Sequence, residues 1–323
     1  MKYTFCVFTI TLLGSNTICG QSIEWTQKQS MPFACRNGRA ISCSNKIYFM
    51  GGYSSSTKKR FAKSVYEYDP EEDTWKQKTD MLTGRSNFAL VEFAEKIYAI
   101  GGDPFSPKNE MYDPAVDSWV VLKPMLTPRQ HVNGVSVNGK IYVIGGLMDV
   151  KNDSIPAKWS YKNISSKNEV YNPVSDSWEE LAPMPTPRHD AYIASVDGKI
   201  YVIGGMGDKS NIWKPLPVVE MYDPVTNTWE TRAPLPSSRD GFGISVINEM
   251  IYIVGGWSES GIVNTVNFYD PKSDKWNIIS EFPNKKNGAA GCATIGNRIY
   301  IIGGCDDKFT ANSNVFVGTM TVD

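Results

Sequence analysis

The chain contains two histidines, and one of them, His131, shares a register with an acid, Asp190. Both lie twelve residues after a tryptophan, Trp119 and Trp178 respectively. An imidazole titrates near neutral pH and a carboxylate accepts a proton, so the two can serve as donor and acceptor if folding brings them together. Arg129 and Arg188 stand two residues before them. A guanidinium offers a planar fork that fits a carboxylate, so this pair suits recognition of an acidic ligand. Asn37 and Asn87 occupy the same register as His131 and Asp190, counted from Trp25 and Trp75. Trp159, Tyr161, Trp213 and Trp257, with Tyr53 and Phe105, fall outside the regular pattern. Aromatics beside polar groups suit stacking on a sugar ring or anchoring a protein partner, and equally local packing of a loop.

The frame that must position these groups is a repeat. From Trp25, Trp75, Trp119, Trp178 and Trp229 it is 26 residues to a Gly-Gly pair, at Gly51, Gly101, Gly145, Gly204 and Gly255; from Trp276 to Gly303 it is 27. Tyr68, Tyr112, Tyr171, Tyr222 and Tyr269 each precede a Trp by 7 residues. Only the stretch from Gly-Gly to Tyr varies, at 17, 11, 26, 18 and 14 residues. A period near fifty residues marks a repeat architecture. Each unit reads as four short β-branched and aromatic runs separated by turn residues. Asn138-Gly139 and Asp197-Gly198 are tight hairpin turns. Six such units predict an all-β fold, a six-bladed β-propeller, with Trp and Tyr filling the spaces between blades.

Gly-Gly, Tyr-Asp-Pro and Trp at these spacings resemble the kelch repeat over residues 21 to 323. The sixth unit has no Trp after its third strand near Ser313–Met320, whereas an orphan Trp25 strand stands at the other end. Ile23–Gln29 is therefore expected to supply the outer strand of blade six and to cover a bare sheet edge.

Strand direction selects a face. The loop after each Gly-Gly and the connection into the next inner strand open on the same side, where ligand sites favour long variable loops. Cys35, Arg85, Arg129, Arg188, Arg239 and Lys286 share one register there. The kelch resemblance implies that this arginine ties neighbouring blades through carboxylates and carbonyls; recognition of a ligand carboxylate is the competing reading. Two residues on, the side chains diverge to Asn37, Asn87, His131, Asp190, Gly241 and then Gly288 or Ala289, which predicts a lopsided polar pocket opposite small residues. The segment Leu147–Asn168, with Trp159 and Tyr161, is expected to form a flap over blades three and four.

Residues 1–20 read as a secretory signal, with Lys2, an apolar run from Tyr3 to Leu13 and a cut after Gly20; residues 21–323 are the propeller. The apolar run is too short to span a bilayer, and no later segment is long enough. The mature chain is expected to be secreted or periplasmic, a lipoprotein anchor at Cys19 being the lesser reading. Its charge is 32 − 34 = −2 once Lys2 is removed, so nucleic acid is not an expected partner. Export permits disulfides, and Cys35 with Cys305 is the expected staple across the ring seam, four buried free thiols being the alternative.

Two functions remain open. One is a non-catalytic binding propeller that holds a glycan or protein. The other, drawn from kelch-like sialic acid mutarotases, is anomer exchange in an acidic sugar, with His131 and Asp190 moving protons and Arg129 or Arg188 holding the carboxylate. A copper site like that of galactose oxidase needs two convergent His ligands. His131 and His189 differ by one in register, and neighbouring strand residues face opposite ways, so neither a metal nor another cofactor is expected.

Overall fold

In a computed structural model, residues 21–54, 61–148, 163–207, 213–284 and 288–322 are described. Six four-stranded antiparallel sheets form the blades. Their inner strands are Arg39–Cys43, Ala89–Phe93, Asn133–Val137, Tyr192–Val196, Gly243–Ile247 and Gly291–Ile295. Each is followed outward by the strand that carries the Gly-Gly approach and then by a third and a fourth strand, which in blades one to five carry the frame Tyr and Trp. In blade six the outermost strand is Gln21–Lys28, which pairs antiparallel with Val315–Val322. The two ends of the folded ring are thus joined by backbone hydrogen bonds, and no Trp strand is needed after residue 322.

The Tyr–Trp ruler is a latch between blades. Tyr112 packs its ring 5.0 Å from Trp119, and Trp119 Nε1 donates to Thr79 O of the preceding blade at 3.0 Å. Tyr112 donates to Asp117 at 2.6 Å, and Asp117 also accepts from Thr79 N at 2.9 Å. The same set recurs with Tyr171, Asp176 and Trp178 and with Tyr222, Asn227 and Trp229. Asp117, Asp176 and Asn227 all have positive φ, which suits Asp and Asn. A short polar side chain therefore makes the turn and satisfies two donors at once.

The Gly-Gly pairs are required by close approach. Both glycines of every pair have φ between 59° and 100°. A Cβ on Gly51 would lie 2.5 Å from Arg85 O. Gly102 N donates to Arg129 O and Gly146 N to Arg188 O, each at 3.0 Å. The backbone of one blade thus docks on the strand entering the next, at a spot where only glycine fits.

Candidate functional site

The pocket register is defined by its backbone. Asn37, Asn87, His131, Asp190, Gly241 and Ala289 all have left-handed φ, between 50° and 62°. The one-residue insertion is thus resolved in favour of Ala289. Their peptides link around the mouth: Asn37 N donates to Ala289 O, Asn87 N to Asn37 O, Asp190 N to His131 O and Ala289 N to Gly241 O. Left-handed φ turns the side chains off the alternating strand pattern and toward the axis.

These six positions were expected at one mouth, with Gly288 or Ala289 as the sixth, and Asn37, Asn87, His131, Asp190, Gly241 and Ala289 do line one cavity of about 760 Å³. Trp213 and Trp257 wall it as well, with Arg36, Arg39, Lys214 and Glu259. Arg39 and Tyr192 also line the central channel of about 340 Å³ below, so they form the neck between the two spaces. Trp159, Tyr161 and Lys286 lie outside the described residues, so the flap reading stays an expectation. Phe105 packs beside Leu147 and Ile164 instead of facing the cavity, and Tyr53 lies 4.9 Å beneath the Arg36 guanidinium.

Three sequence readings need correction. Arg129 and Arg188 do not face the cavity; both are fully buried. Arg129 pairs with Glu169 at 3.1 Å and donates to Gly145 O at 2.7 Å. Arg188 pairs with Glu220 and donates to Val202 O at 3.0 Å. Each guanidinium is held by a second-strand carbonyl and a third-strand glutamate of its own blade, buried away from the cavity. Second, Cys35 and Cys305 are free thiols. Their backbones are neighbours, since Gly304 N donates to Cys35 O at 2.9 Å. The sulfurs diverge, though: Cys35 Sγ faces Gly51 O at 3.5 Å and Cys305 Sγ faces Gly288 O at 3.4 Å. Third, His189 does not point away from His131. The left-handed Asp190 breaks the alternation, and both imidazoles reach its carboxylate.

That carboxylate is the centre of the polar floor. Asp190 Oδ2 lies 2.6 Å from His131 Nδ1 and 3.0 Å from His189 Nδ1. Asn87 Nδ2 lies 3.4 Å from His131 Nε2 and donates to Asp103 at 2.9 Å. Asn37 Nδ2 donates to Asn87 Oδ1 at 2.8 Å, so one network crosses blades one to four. Burial opposes ionisation of Asp190, but the two imidazoles outweigh it and hold the carboxyl well below its usual range. Burial likewise disfavours charge on His131, and the charge and hydrogen bond of Asp190 reverse that and raise its pKa. Asp240 behaves in the opposite way: burial, then repulsion from Asp190, push its carboxyl up to about 8. One cavity therefore holds an ionised and a protonated carboxyl at neutral pH.

The periodic reading missed Arg36, Arg39, His189 and Asp240, which stand one residue before or two after the divergent register. Among the described residues neither Arg36 nor Arg39 forms an ion pair, in contrast to Arg85, Arg129 and Arg188. Arg36 is held between the rings of Tyr53 and Phe309, at 4.9 and 5.4 Å. A telling signal was available. Glu110, Glu169 and Glu220, each two residues before a frame Tyr, occur in the blades whose buried arginines they pair with; in blade one Tyr66 stands there, opposite Cys35.

The KLHDC2/KLHL20/DRC7 Kelch-repeats domain family matches residues 37–231 and 132–320. The chain belongs to the kelch-repeat family. It is 28% identical over 299 residues to Kelch-like protein 35 of Mus musculus, covering 92% of this chain and 39% of that protein. It is 26% identical to Kelch-like protein 23 of Homo sapiens, over 84% of this chain and 46% of that protein. The chain spans less than half the length of the curated relatives it matches. A solved structure titled "Structure of YjhT" superposes with a TM-score of 0.75 at 16% identity, over 90% of this chain and 99% of that one. At that identity the likeness shows the fold alone. Kelch propellers typically bind proteins. No helix of the described residues is long and apolar enough to cross a membrane.

Proposed function

We propose that this kelch propeller is exported and holds a sugar in the cavity of its loop face. The observation that carries this reading is that Trp213 and Trp257 wall the same cavity whose floor is the Asn37–Asn87–His131–Asp190 network. A sugar ring has apolar C–H faces and a girdle of hydroxyls, so it matches indole walls and a hydrogen-bonding floor. The volume, about 760 Å³, is that of a small-ligand site. Trp213 is 45% exposed, so part of a large apolar ring stands within reach of a ligand.

The test is glycan-array binding followed by calorimetry on Trp213→Ala and Trp257→Ala. Each truncation should weaken sugar binding about tenfold or more, with the fold intact. A chain that binds no glycan but captures a peptide through this face would overturn the sugar reading and leave a protein-binding propeller. Export is tested by the amino terminus of the protein recovered from the producing cell: retention of Met1 refutes it.

The 2.6 Å contact of His131 with Asp190 favours a second reading, exchange of anomers in an acidic sugar. Arg36 or Arg39, and not the buried arginines, would then hold the carboxylate. Ring opening needs a proton taken from the anomeric hydroxyl and one given to the ring oxygen; an ionised Asp190–His131 pair and the protonated Asp240 offer both. Proton NMR of sialic acid exchange, unaccelerated by the purified protein, would remove it.

A further inference from the structure

The chain's only two histidines converge from consecutive blades on one carboxylate oxygen. We propose that His131, His189 and Asp190 bind one divalent transition-metal ion of the zinc class at the floor of the cavity.

One donor atom from each residue lies within 4.8 Å of the other two. Ligands bonded to zinc at about 2.0–2.2 Å sit roughly 3.3–3.6 Å apart in tetrahedral geometry. The 2.6 and 3.0 Å contacts and the 4.8 Å limit bracket that spacing. Uptake therefore asks for side-chain shifts of under about 1 Å, with the ion replacing the protons that now bridge imidazole to carboxylate. Two imidazoles and a carboxylate, with no thiolate, are the donor set of borderline divalent ions.

The surroundings hold the donors. Left-handed backbone at His131 and Asp190 aims both side chains at the axis, and Asp190 N to His131 O at 3.0 Å fixes their relative height. His189 is fully buried, and Trp213 packs edge-on against both imidazoles, 5.2 Å from His189 and 6.2 Å from His131. His131 and Asp190 also line the cavity. Three protein ligands and an open side match a site that keeps a position for an exogenous oxygen ligand.

The inference does not rest on the sugar reading, and its test contains no sugar. The whole chain, freed of metal with EDTA and kept reduced, is titrated with zinc chloride by calorimetry, and cobalt(II) binding is followed by visible absorption. One equivalent should bind per chain, with a cobalt spectrum free of thiolate bands. Asp190→Asn and His189→Gln should each weaken uptake at least about tenfold. His131→Ala, at a partly exposed position, serves if His189→Gln does not fold. The proposal is overturned if no saturable equivalent is taken up, if these variants bind as the parent does, or if alkylating the cysteines abolishes uptake. Failure here leaves the tryptophan-dependent sugar assay unaffected, so the two ideas fall separately.

Discussion

Replacing Arg188 with Met should cost far more than the same change at Arg239, although both occupy one register. Arg188 pairs with Glu220, which is 2% exposed and also accepts from Thr186 Oγ1 at 2.7 Å. Removing the guanidinium strands a buried carboxylate, which typically costs about 3–5 kcal/mol. In blade five Asn267 stands where blades two to four carry Glu, and Arg239 donates to Gly255 O at 3.4 Å and Ser237 Oγ at 2.8 Å. Burial alone pulls its pKa down to about 10, and its loss strands no charge. Two weak hydrogen bonds amount to roughly 1–2 kcal/mol. Urea denaturation should separate the variants by about 2–3 kcal/mol, a large part of a total stability of about 5–15 kcal/mol. Adding Glu220→Leu to Arg188→Met should restore most of the loss, because the stranded charge goes with it. If Arg188→Met proved as stable as Arg239→Met while ligand binding was abolished, the assignment of the inner arginines to the frame would be wrong.

The remaining predictions concern the cavity and the seam. Asp240 is protonated in the fold up to about pH 8 and ionised in the unfolded chain above about 4. The folded state binds more protons in between, so stability should fall as pH rises from about 4 to about 8, by several kcal/mol, and level off above. Asp240→Asn, melted in EDTA, should flatten that slope; an unchanged slope would place the titration elsewhere. Gly288→Ala should displace Trp257, because the added Cβ would lie 2.4 Å from Trp257 Cε2. A stability loss of about 1–3 kcal/mol with weaker sugar binding is expected; unchanged binding would show that Trp257 is not a wall. Thiol counting under denaturing, non-reducing conditions should find Cys35, Cys43, Cys292 and Cys305 all free. Native Cys35 and Cys305, buried and pushed up to about 12, should resist alkylation.

The frame was legible because it is periodic. Trp, Tyr and Gly-Gly recur at fixed spacings, and each turns out to make the same contact between blades. The face was legible from strand direction, and the residues that fail to repeat did mark the mouth. What spacing alone could not give is where a side chain points once the backbone leaves the extended region. Arg129 and His131 are two apart and would share a face on a straight strand, yet one is buried in its own blade and the other lines the cavity. His189 and Asp190, being adjacent, would face apart, and they meet at 3.0 Å. The disulfide reading failed for a related reason: backbone proximity across the seam says nothing of the direction of Sγ.

The same backbone feature links frame and chemistry. A position that must hold φ near +55° in every blade excludes most residue types, and the ones it tolerates best are Gly, Asn, Asp and, to a lesser degree, His. That set contains hydrogen-bonding, carboxylate and imidazole groups but no bulky aliphatic side chain. The ring therefore restricts its own mouth to small or polar residues whatever the ligand, and variation within that restricted set, Asn to His to Asp, changes chemistry without changing backbone. Ala289 is the exception, a residue with no polar atom to offset its strained conformation. Ala289→Gly should consequently stabilise the propeller by a few tenths to about 1 kcal/mol, the reverse of the usual effect of that substitution. A destabilisation of ordinary sign in urea would show that the left-handed register does not extend to blade six.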